Sequence, residues 1–228
     1  MINQNNLNLN TSLKKKKFWR WFLTIALVLL SAFIFWPAGN LPVNNSASQN
    51  IKVDENLLYS QSKNEPHQGD ISAKVRIIEF GDFECPYCEQ SFSIVREILQ
   101  KYQGKIYFAF RDFPLTDLHD YALRSAEAAD CAFEQGKFWE MHDKLFINQA
   151  NLEDANLQSY AKSIGLKMPQ FNSCFNGHES LSEINQDLDD GIGFGVKATP
   201  TFFINGYKIE GVVPKDLFMR LIDKALAE

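Results

Sequence analysis

Apolar and polar positions change their period several times along the chain from residue 71 onward. The run Val75 to Phe80 is rich in β-branched and aromatic residues, as expected of a buried strand, and it ends at Gly81-Asp82, where a turn can form. Apolar positions then recur at helical spacing until Gly104, and a second strand-like run covers Lys105 to Arg111. A strand, a helix and a second strand at this spacing predict a right-handed βαβ unit.

The pattern is helical from about residue 117 to residue 194, with two apolar stripes. After Thr199-Pro200, the Asn205-Gly206 dipeptide separates two short apolar runs and predicts a hairpin turn. A last amphipathic helix begins at Pro214. We therefore expect an α/β domain over residues 71–228, with a helical insertion at about 117–194.

The N-terminal residues differ from the rest of the chain. Residues 1–17 are polar and end in four lysines, and residues 18–37 form an apolar run about long enough to cross a bilayer as a helix. The lysines predict a cytoplasmic N-terminus and an extracytoplasmic remainder, periplasmic or at the cell surface. A cleaved signal peptide with soluble export is the alternative. The run is slightly long for a signal peptide, so we expect a transmembrane anchor in the lipid bilayer, flanked by interfacial tryptophans: Trp19, Trp21 and Trp36.

Residues 38–70 are rich in Asn, Ser, Gln and Pro and predict a linker with little core. All 28 acidic residues follow residue 36, together with 18 of the 23 basic ones, so this part of the chain carries a net charge of −10. A nucleic-acid partner requires a basic face, and we therefore expect none.

The sequence Cys85-Pro86-Tyr87-Cys88 lies where the first helix begins. Pro86 suits the first helical position, because the N–H that it lacks would have no partner there. Free N–H groups and the helix dipole stabilise a thiolate on Cys85 at this end. Cys88 lies one turn later on the same face and can attack a mixed disulfide on Cys85. The pattern indicates a redox-active dithiol, and we expect an exposed Cys85 with a lowered pKa and a buried Cys88.

Other interpretations of the cysteine motif are a structural disulfide and a zinc site. Zinc would need two more ligands, and Cys131 and Cys174 lack the spacing of a second zinc knuckle. No His or carboxylate motif along the sequence supports a metal, so we expect no metal and no cofactor. His119 and His142 could each be catalytic, although a lone histidine is usually a packing residue. The rival function is a membrane-tethered metal-binding or delivery module that uses Cys85 and Cys88.

Three features together resemble the DsbA family of thiol-disulfide oxidoreductases. They are Cys85-Pro-Tyr-Cys88 with Glu79 in the preceding strand, the long helical insertion, and a Thr199-Pro200 pair that resembles the cis-proline loop of the thioredoxin fold. The resemblance extends from about Ser72 to the C-terminus. The tetrapeptide alone is also typical of glutaredoxins, which are short and lack the insertion.

The resemblance implies a thioredoxin-like mixed sheet with an inserted α-helical domain. It implies that Cys85 exchanges disulfides with substrates and that Cys88 resolves the mixed disulfide, while Glu79 is a buried acid that accepts the proton of Cys88. Pro86, Tyr87, Thr199 and Pro200 would bind the substrate. The implied partners are unfolded or partly folded secreted proteins and a membrane thiol oxidase or reductase. DsbA itself carries a histidine where this chain has Tyr87, so we expect a weaker oxidant.

Cys131 and Cys174 are the two cysteines outside the Cys85–Cys88 motif. Such a pair is expected to oxidise outside the cytoplasm, and similar pairs occur in the insertions of some DsbA-like proteins. We expect a structural disulfide. Two buried free thiols, or a relay of electrons to Cys85 and Cys88, are the alternatives.

Overall fold

A computed structural model of the chain describes residues 52–54, 58 and 65–228. The chain divides into two units, and all of the described residues lie in the second, Gln49–Glu228. The helices and strands in chain order are β1 (His67–Gln68), β2 (Val75–Gly81), α1 (Pro86–Lys101), β3 (Ile106–Asp112), α2 (Ala122–Phe133), α3 (Phe138–Ile147), α4 (Asp154–Ser163), α5 (Met168–Gly177), α6 (Leu181–Gly193), β4 (Thr201–Ile204), β5 (Tyr207–Glu210) and α7 (Lys215–Ala227).

The five strands form one mixed sheet in the order β1-β3-β2-β4-β5. Strands β2 and β3 are parallel, and the other neighbouring strands are antiparallel. Glu79 of β2 pairs with Phe110 of β3 on one side and with Phe202 of β4 on the other. The predicted mixed α/β sheet is confirmed, and β2 lies at its centre, so the residues that follow β2 are held by strands on both sides.

Alternate residues of each strand point to opposite faces of the sheet, and each face has its own core. Helices α1 and α7 cover one face, where Ile77 and Phe108 pack with Ile98 and Phe218. The other face buries Ile78, Phe80, Tyr107 and Phe203, together with Leu58 and Val196. Because both faces of the sheet are buried, β2 and β3 are nearly continuous apolar runs in the sequence.

Helices α2 to α6 form the insertion between β3 and β4, within the expected range of about 117–194. Cys131 of α2 is bonded to Cys174 of α5, with Cα atoms 5.8 Å apart. The core of the insertion also takes in Phe83, Cys85 and Cys88 from the turn and helix after β2. The insertion therefore packs directly against the cysteine motif.

The described part of the expected linker, residues 38–70, has more structure than its composition indicates. Lys52 bridges to Tyr207 of β5, Leu58 is fully buried, and β1 pairs with β3. A two-residue strand has no detectable period of apolar positions, so no sequence pattern predicts β1.

The predicted basic segment, residues 1–17, and the predicted anchor, residues 18–37, lie outside the described residues. Within residues 52–54, 58 and 65–228, no helix has the length and apolar character needed to cross a membrane.

Candidate active site

The cysteine motif follows the central strand through a short turn. Cys85 is the N-cap of α1, Pro86 stands in its first turn, and no side chain caps this helix end. The N–H groups of Cys88 and Glu89 donate to the carbonyl oxygen of Cys85 at 3.0 and 3.1 Å. The N–H groups of Cys88 and Tyr87 also interact with the Cys85 side chain, so the positive end of the α1 dipole faces the sulfur.

The environment of Cys85 favours the thiolate. A hydrogen bond from the Cys88 thiol is the largest cause that lowers the pKa of Cys85, from 9.0 to about 5, although burial opposes it. The Thr199 side chain and the N–H groups of Cys88 and Tyr87 lower the pKa further. Cys85 is therefore an anion at neutral pH, which is the form that attacks disulfides.

Cys85 is more deeply covered than we expected. Only 4 % of the residue is exposed, and the loop that contains Thr199 and Pro200 lies over it. The Thr199–Pro200 peptide bond is cis, and the Sγ atom of Cys85 lies 3.4 Å from the carbonyl oxygen of Thr199, to which the protonated form of the thiol donates.

Cys88 lies behind Cys85 and is fully buried. Burial, the hydrogen bond to Cys85 and the nearby Glu79 carboxylate, in that order, raise the pKa of Cys88 well above its ordinary value. Burial also raises the pKa of Glu79 from 4.5 to about 8. The structure thus brings together a low-pKa thiol, a high-pKa thiol and a buried acid.

Two side chains that the sequence did not single out fix the turn before α1. Asp82 accepts hydrogen bonds from the N–H groups of Glu84 and Leu115 at 2.8 and 2.9 Å. Gln149, which follows α3 in the chain, donates to the carbonyl oxygens of Phe83 and Cys85 at 2.9 and 3.0 Å. The insertion therefore positions the active-site turn through the amide side chain of Gln149. No sequence motif predicts this contact.

His119 lies beside the site, as one of the two histidine candidates. Its Nδ1 atom is 2.7 Å from Oδ2 of Asp82. Burial lowers the pKa of His119, but Asp82 and the Cys85 thiolate raise it, and the net shift is upward. When it is protonated, His119 places positive charge near the thiolate.

The sequence and the fold of the chain match those of known proteins. The model of a family described as Thioredoxin matches residues 61–224. The chain belongs to this family.

Solved structures place it among the DsbA-like thiol-disulfide oxidoreductases of this family. BdbD from Bacillus subtilis has a TM-score of 0.66 and 25% identity over 73% of this chain and 95% of that one. The protein α-DsbA1 from Wolbachia pipientis has a TM-score of 0.65 and 28% identity over 72% of this chain and 92% of that one. The resemblance inferred from the cysteine motif, the insertion and the Thr-Pro pair is confirmed.

This DsbA-like chain is also similar to part of some longer proteins that are named as antiporters. The Na⁺/H⁺ antiporter NhaA 1 of Salinispora arenicola is 36% identical over 192 residues, which cover 82% of this chain and 29% of the antiporter. NhaA 3 of Salinispora tropica matches to the same extent. The chain thus spans less than a third of the length of these relatives.

The second histidine candidate of the DsbA-like chain, His142, lies in the core of the insertion. It is 5 % exposed, and its ring contacts those of Phe83, Phe110 and Phe146. Burial lowers its pKa, so the ring is neutral at pH 7. His142 supports the active-site turn by packing against Phe83. It is not one of the two thiols or the buried acid that form the site.

Proposed function

We propose that this protein is a thiol-disulfide oxidoreductase whose redox centre is the dithiol of Cys85 and Cys88. The observation that carries the proposal is the contrast between the two thiols. Cys85 has a pKa of about 5 at a helix N-terminus beneath the cis-Pro200 loop, whereas Cys88 is buried and keeps its proton. This contrast separates a thiol that reacts with substrates from a thiol that resolves the product.

In the reducing direction, the Cys85 thiolate attacks a substrate disulfide, forms a mixed disulfide and releases one substrate thiolate. Cys88 then loses its proton and attacks the Cys85 sulfur, which releases the second substrate thiolate and forms the Cys85–Cys88 disulfide. Two electrons pass from the protein to the substrate. In the oxidising direction, a substrate dithiol reverses these steps, and the protein becomes the reduced dithiol. The oxidising direction therefore introduces disulfides into the substrate.

Glu79 is proposed to take the proton of Cys88 during resolution. It lies close enough to raise the pKa of that thiol, and its own pKa of about 8 leaves about a tenth of the molecules with a carboxylate at pH 7. The same group would return the proton when the disulfide is reduced. Glu79 is therefore matched to proton transfer near neutral pH.

The proposed substrates are unfolded or partly folded secreted proteins. Tyr87 is 61 % exposed, and Leu118, the neighbour of His119 in the chain, is 76 % exposed. Such apolar side chains beside the reactive thiol suit extended chains that still expose apolar residues. Pro86, Thr199 and Pro200 are proposed to complete the substrate-binding edge, and a membrane thiol oxidase or reductase is the proposed redox partner.

The protein is proposed to be anchored in a membrane by residues 18–37, with residues 1–17 in the cytoplasm and the catalytic domain outside, in the periplasm or at the cell surface. The Cys131–Cys174 disulfide supports this orientation, because such bonds persist in oxidising compartments. Tagging either end of the chain and probing protease access in intact spheroplasts tests it. A protected C-terminal domain would contradict the proposal.

The activity is tested with the full-length protein, by following the reduction of insulin and the oxidation of a dithiol peptide. Cys85→Ser should abolish both activities. Cys88→Ser should accumulate a mixed disulfide with the substrate, because attack by Cys85 remains but resolution is lost. As a matched control, Cys131→Ser combined with Cys174→Ser should keep most activity. Full turnover by the Cys85→Ser variant would refute the proposal.

A membrane-tethered metal-binding or delivery module remains the second candidate. Cys131 and Cys174 are bonded to each other and cannot complete a thiolate site with Cys85 and Cys88. A metal bound in stoichiometric amount to the reduced protein, lost in Cys85→Ser and accompanied by no dithiol turnover, would favour this candidate.

A further inference from the structure

The loop that follows β3 is tied to the active-site turn by two acidic side chains. Asp82 accepts a hydrogen bond from the Leu115 N–H group at 2.9 Å and one from Nδ1 of His119 at 2.7 Å. Glu84 accepts one from the Tyr121 N–H group at 2.5 Å. The proposed exchange of electrons uses neither His119 nor these partners, so a histidine that is held beside the reactive thiol needs a separate explanation.

His119 lies close to the reactive sulfur. The carbonyl oxygen of Asp82 accepts a hydrogen bond from the Cys85 N–H group at 3.1 Å, so the residue that holds the imidazole ring is itself bonded to Cys85. Burial lowers the pKa of His119, whereas Asp82 and then the Cys85 thiolate raise it. Charges near a protein surface act on one another in this way only over short distances, so the ring and the sulfur belong to one site.

The contact with Asp82 determines which nitrogen of His119 is free. A carboxylate only accepts hydrogen bonds, so Nδ1 carries a proton and the neutral ring offers the lone pair of Nε2. The side chain of Asp82 is fully buried, whereas 17 % of the His119 side chain is exposed. Leu118, which is proposed to contact the substrate, is the preceding residue of the chain. A basic nitrogen is therefore available where the substrate would lie.

Disulfide formation needs a base at this place. The thiolate is the form that attacks a disulfide, and a substrate cysteine with a pKa of about 8.5 is only about 3 % ionised at pH 7. Glu79 is buried and is proposed to exchange its proton with Cys88, so it cannot serve an incoming thiol. His119 combines a free nitrogen with access to solvent beside Cys85.

We propose that His119, oriented by Asp82, is the catalytic base that takes the proton of an incoming substrate thiol; this inference rests on the proposed oxidoreductase function. The first substrate thiol gives its proton to Nε2, and its sulfur attacks the Cys85 sulfur of the Cys85–Cys88 disulfide. The S–S bond breaks, and its electron pair goes to Cys88, which takes a proton from Glu79. The proton on His119 passes to water.

The second substrate thiol then attacks the substrate sulfur of the mixed disulfide, and His119 takes this proton as well. Cys85 leaves as the thiolate, so the substrate has lost two electrons and the protein has gained them. In the reducing direction, the protonated ring returns a proton to the substrate thiolate that leaves.

The charges around His119 change with the redox state of the protein. Asp82 and Glu84 of the turn and Cys85 act on the ring, and the exposed Asp117 and Asp120 flank it on its own loop. Cys85 is charged only in the reduced protein, so His119 binds a proton more weakly in the oxidised protein. The base is therefore free when a substrate thiol arrives, and reduction favours the protonated ring.

The test uses the oxidised full-length protein and measures, by acid quench and mass spectrometry, how fast a cysteine peptide of ordinary thiol pKa reduces it between pH 6 and pH 9.5. His119→Gln should slow this reaction by about tenfold at pH 7, below the limit of about thirtyfold that the 3 % of ionised thiol sets. The loss should fall below about twofold at pH 9.5, where the thiol ionises unaided. An aryl thiol that is fully ionised at pH 7 should react with both proteins at rates within about twofold. The glutamine amide can still donate to Asp82, so the variant should fold.

His178→Asn is the matched control, because Nδ1 of His178 also lies 2.6 Å from a buried carboxylate, that of Glu127, but on α2 instead of the active-site turn. Asparagine tolerates the left-handed backbone of this position, where φ is 54°. The control should react with both thiols as the unmodified protein does. Unchanged reduction of His119→Gln by the peptide at pH 7, or equal slowing with the peptide and the aryl thiol, would overturn the proposal. Absence of reaction between the unmodified protein and either thiol would instead refute the proposed function on which it rests.

Discussion

The Sγ atom of Cys85 lies 3.4 Å from the carbonyl oxygen of Thr199, although 114 positions separate the two residues in the chain. Their contact follows from the sheet, because β2 and β4 are antiparallel neighbours and Phe80 pairs with Thr201. The end of β2 and the start of β4 therefore meet at the same edge. In this chain the pairing of β2 with β4 therefore brings the residues that follow β2 close to the residues that precede β4.

The first prediction concerns the reactivity of Cys85. Alkylation of the reduced protein by iodoacetamide should follow a single titration near pH 5, because the thiolate is stabilised by the Cys88 thiol and the helix N-terminus. Cys88 should react slowly at every pH below 9, since it is buried with a raised pKa. The measurement is the rate of mass increase at each pH, with Cys85→Ser as the control that removes the fast phase. Faster modification of Cys88 than of Cys85 would contradict the assignment.

The same pKa shift has a consequence for stability. The pKa of Cys85 falls from 9.0 to about 5 on folding, so the stabilisation of the reduced protein is fully present above pH 9 and is lost as the pH falls through about 5. In Cys85→Ser this dependence should disappear. Denaturant unfolding of the reduced protein at several pH values checks this expectation, and an unchanged pH dependence in the variant would count against a thiolate at Cys85.

The active-site core was accessible from the sequence, because it is local. The strand before Gly81, the turn and the helix that starts at Pro86 lie in one continuous segment, and their apolar period and the positions of Gly and Pro define it. The exposure of Cys85 was predicted wrongly. The exposure of Cys85 depends on the loop that contains Thr199 and on Gln149. Tertiary packing brings both of them to Cys85, and no local sequence pattern encodes that packing.

The second prediction concerns Glu79, whose pKa rises from 4.5 to about 8 on burial. A raised acid pKa means that stability is fully present below pH 4.5 and is lost as the pH rises through about 8. Glu79→Gln should therefore stabilise the protein at pH 8, by an amount on the order of 4 kcal/mol, and flatten the pH profile. Urea unfolding between pH 5 and pH 8 measures the effect.

Resolution of the mixed disulfide should be slower in Glu79→Gln, because the proton acceptor of Cys88 is lost. Glu140→Gln, which changes an exposed carboxylate on α3, is the matched control. It should alter neither the free energy of unfolding nor the rate at which the mixed disulfide is resolved. A Glu79→Gln variant with unchanged resolution kinetics would show that the proton leaves by another route.

The third prediction concerns the Cys131–Cys174 disulfide, which joins α2 to α5 across 43 positions of sequence. Replacing both cysteines with serine should lower the free energy of unfolding by about 2–4 kcal/mol, because the unfolded chain is no longer cross-linked. Dithiol activity should be largely kept. Denaturant unfolding and insulin reduction are the two measurements. A folded double variant without activity would indicate that the pair relays electrons to Cys85 and Cys88.

The carboxylates that surround Arg111 were not predictable from the sequence. Glu65 precedes β1, whereas Asp187 and Asp190 lie on α6, and each resembles an ordinary surface acid in the sequence. The structure brings all three to the Arg111 guanidinium, where its nitrogen atoms lie 3.5 Å from Glu65 and 2.7 Å from Asp190. Only the packing of the insertion against β3 brings them together, and this packing depends on contacts distant in sequence.

The last prediction concerns the redox potential of the Cys85–Cys88 pair. The potential of a dithiol rises as its reactive thiolate becomes more stable, and thioredoxin and DsbA, with thiol pKa values of about 7 and about 3.5, define the range. Their potentials are about −270 mV and about −120 mV. The Cys85 pKa of about 5 lies between the two, so we expect a potential between these limits.

Charges near the thiolate explain why the potential should stop short of the DsbA value. Tyr87, at the position of the DsbA histidine, is exposed and supplies no positive charge, and Glu84 and Glu89 add negative charge beside the motif. The N-terminal end of α1 and the protonated form of His119 oppose them. Tyr87→His should therefore raise the potential, while the isosteric Tyr87→Phe should leave it unchanged. Equilibration of the three proteins against glutathione measures the shift. A wild-type potential at or above that of DsbA, or equal potentials for Tyr87→His and Tyr87→Phe, would contradict this electrostatic account.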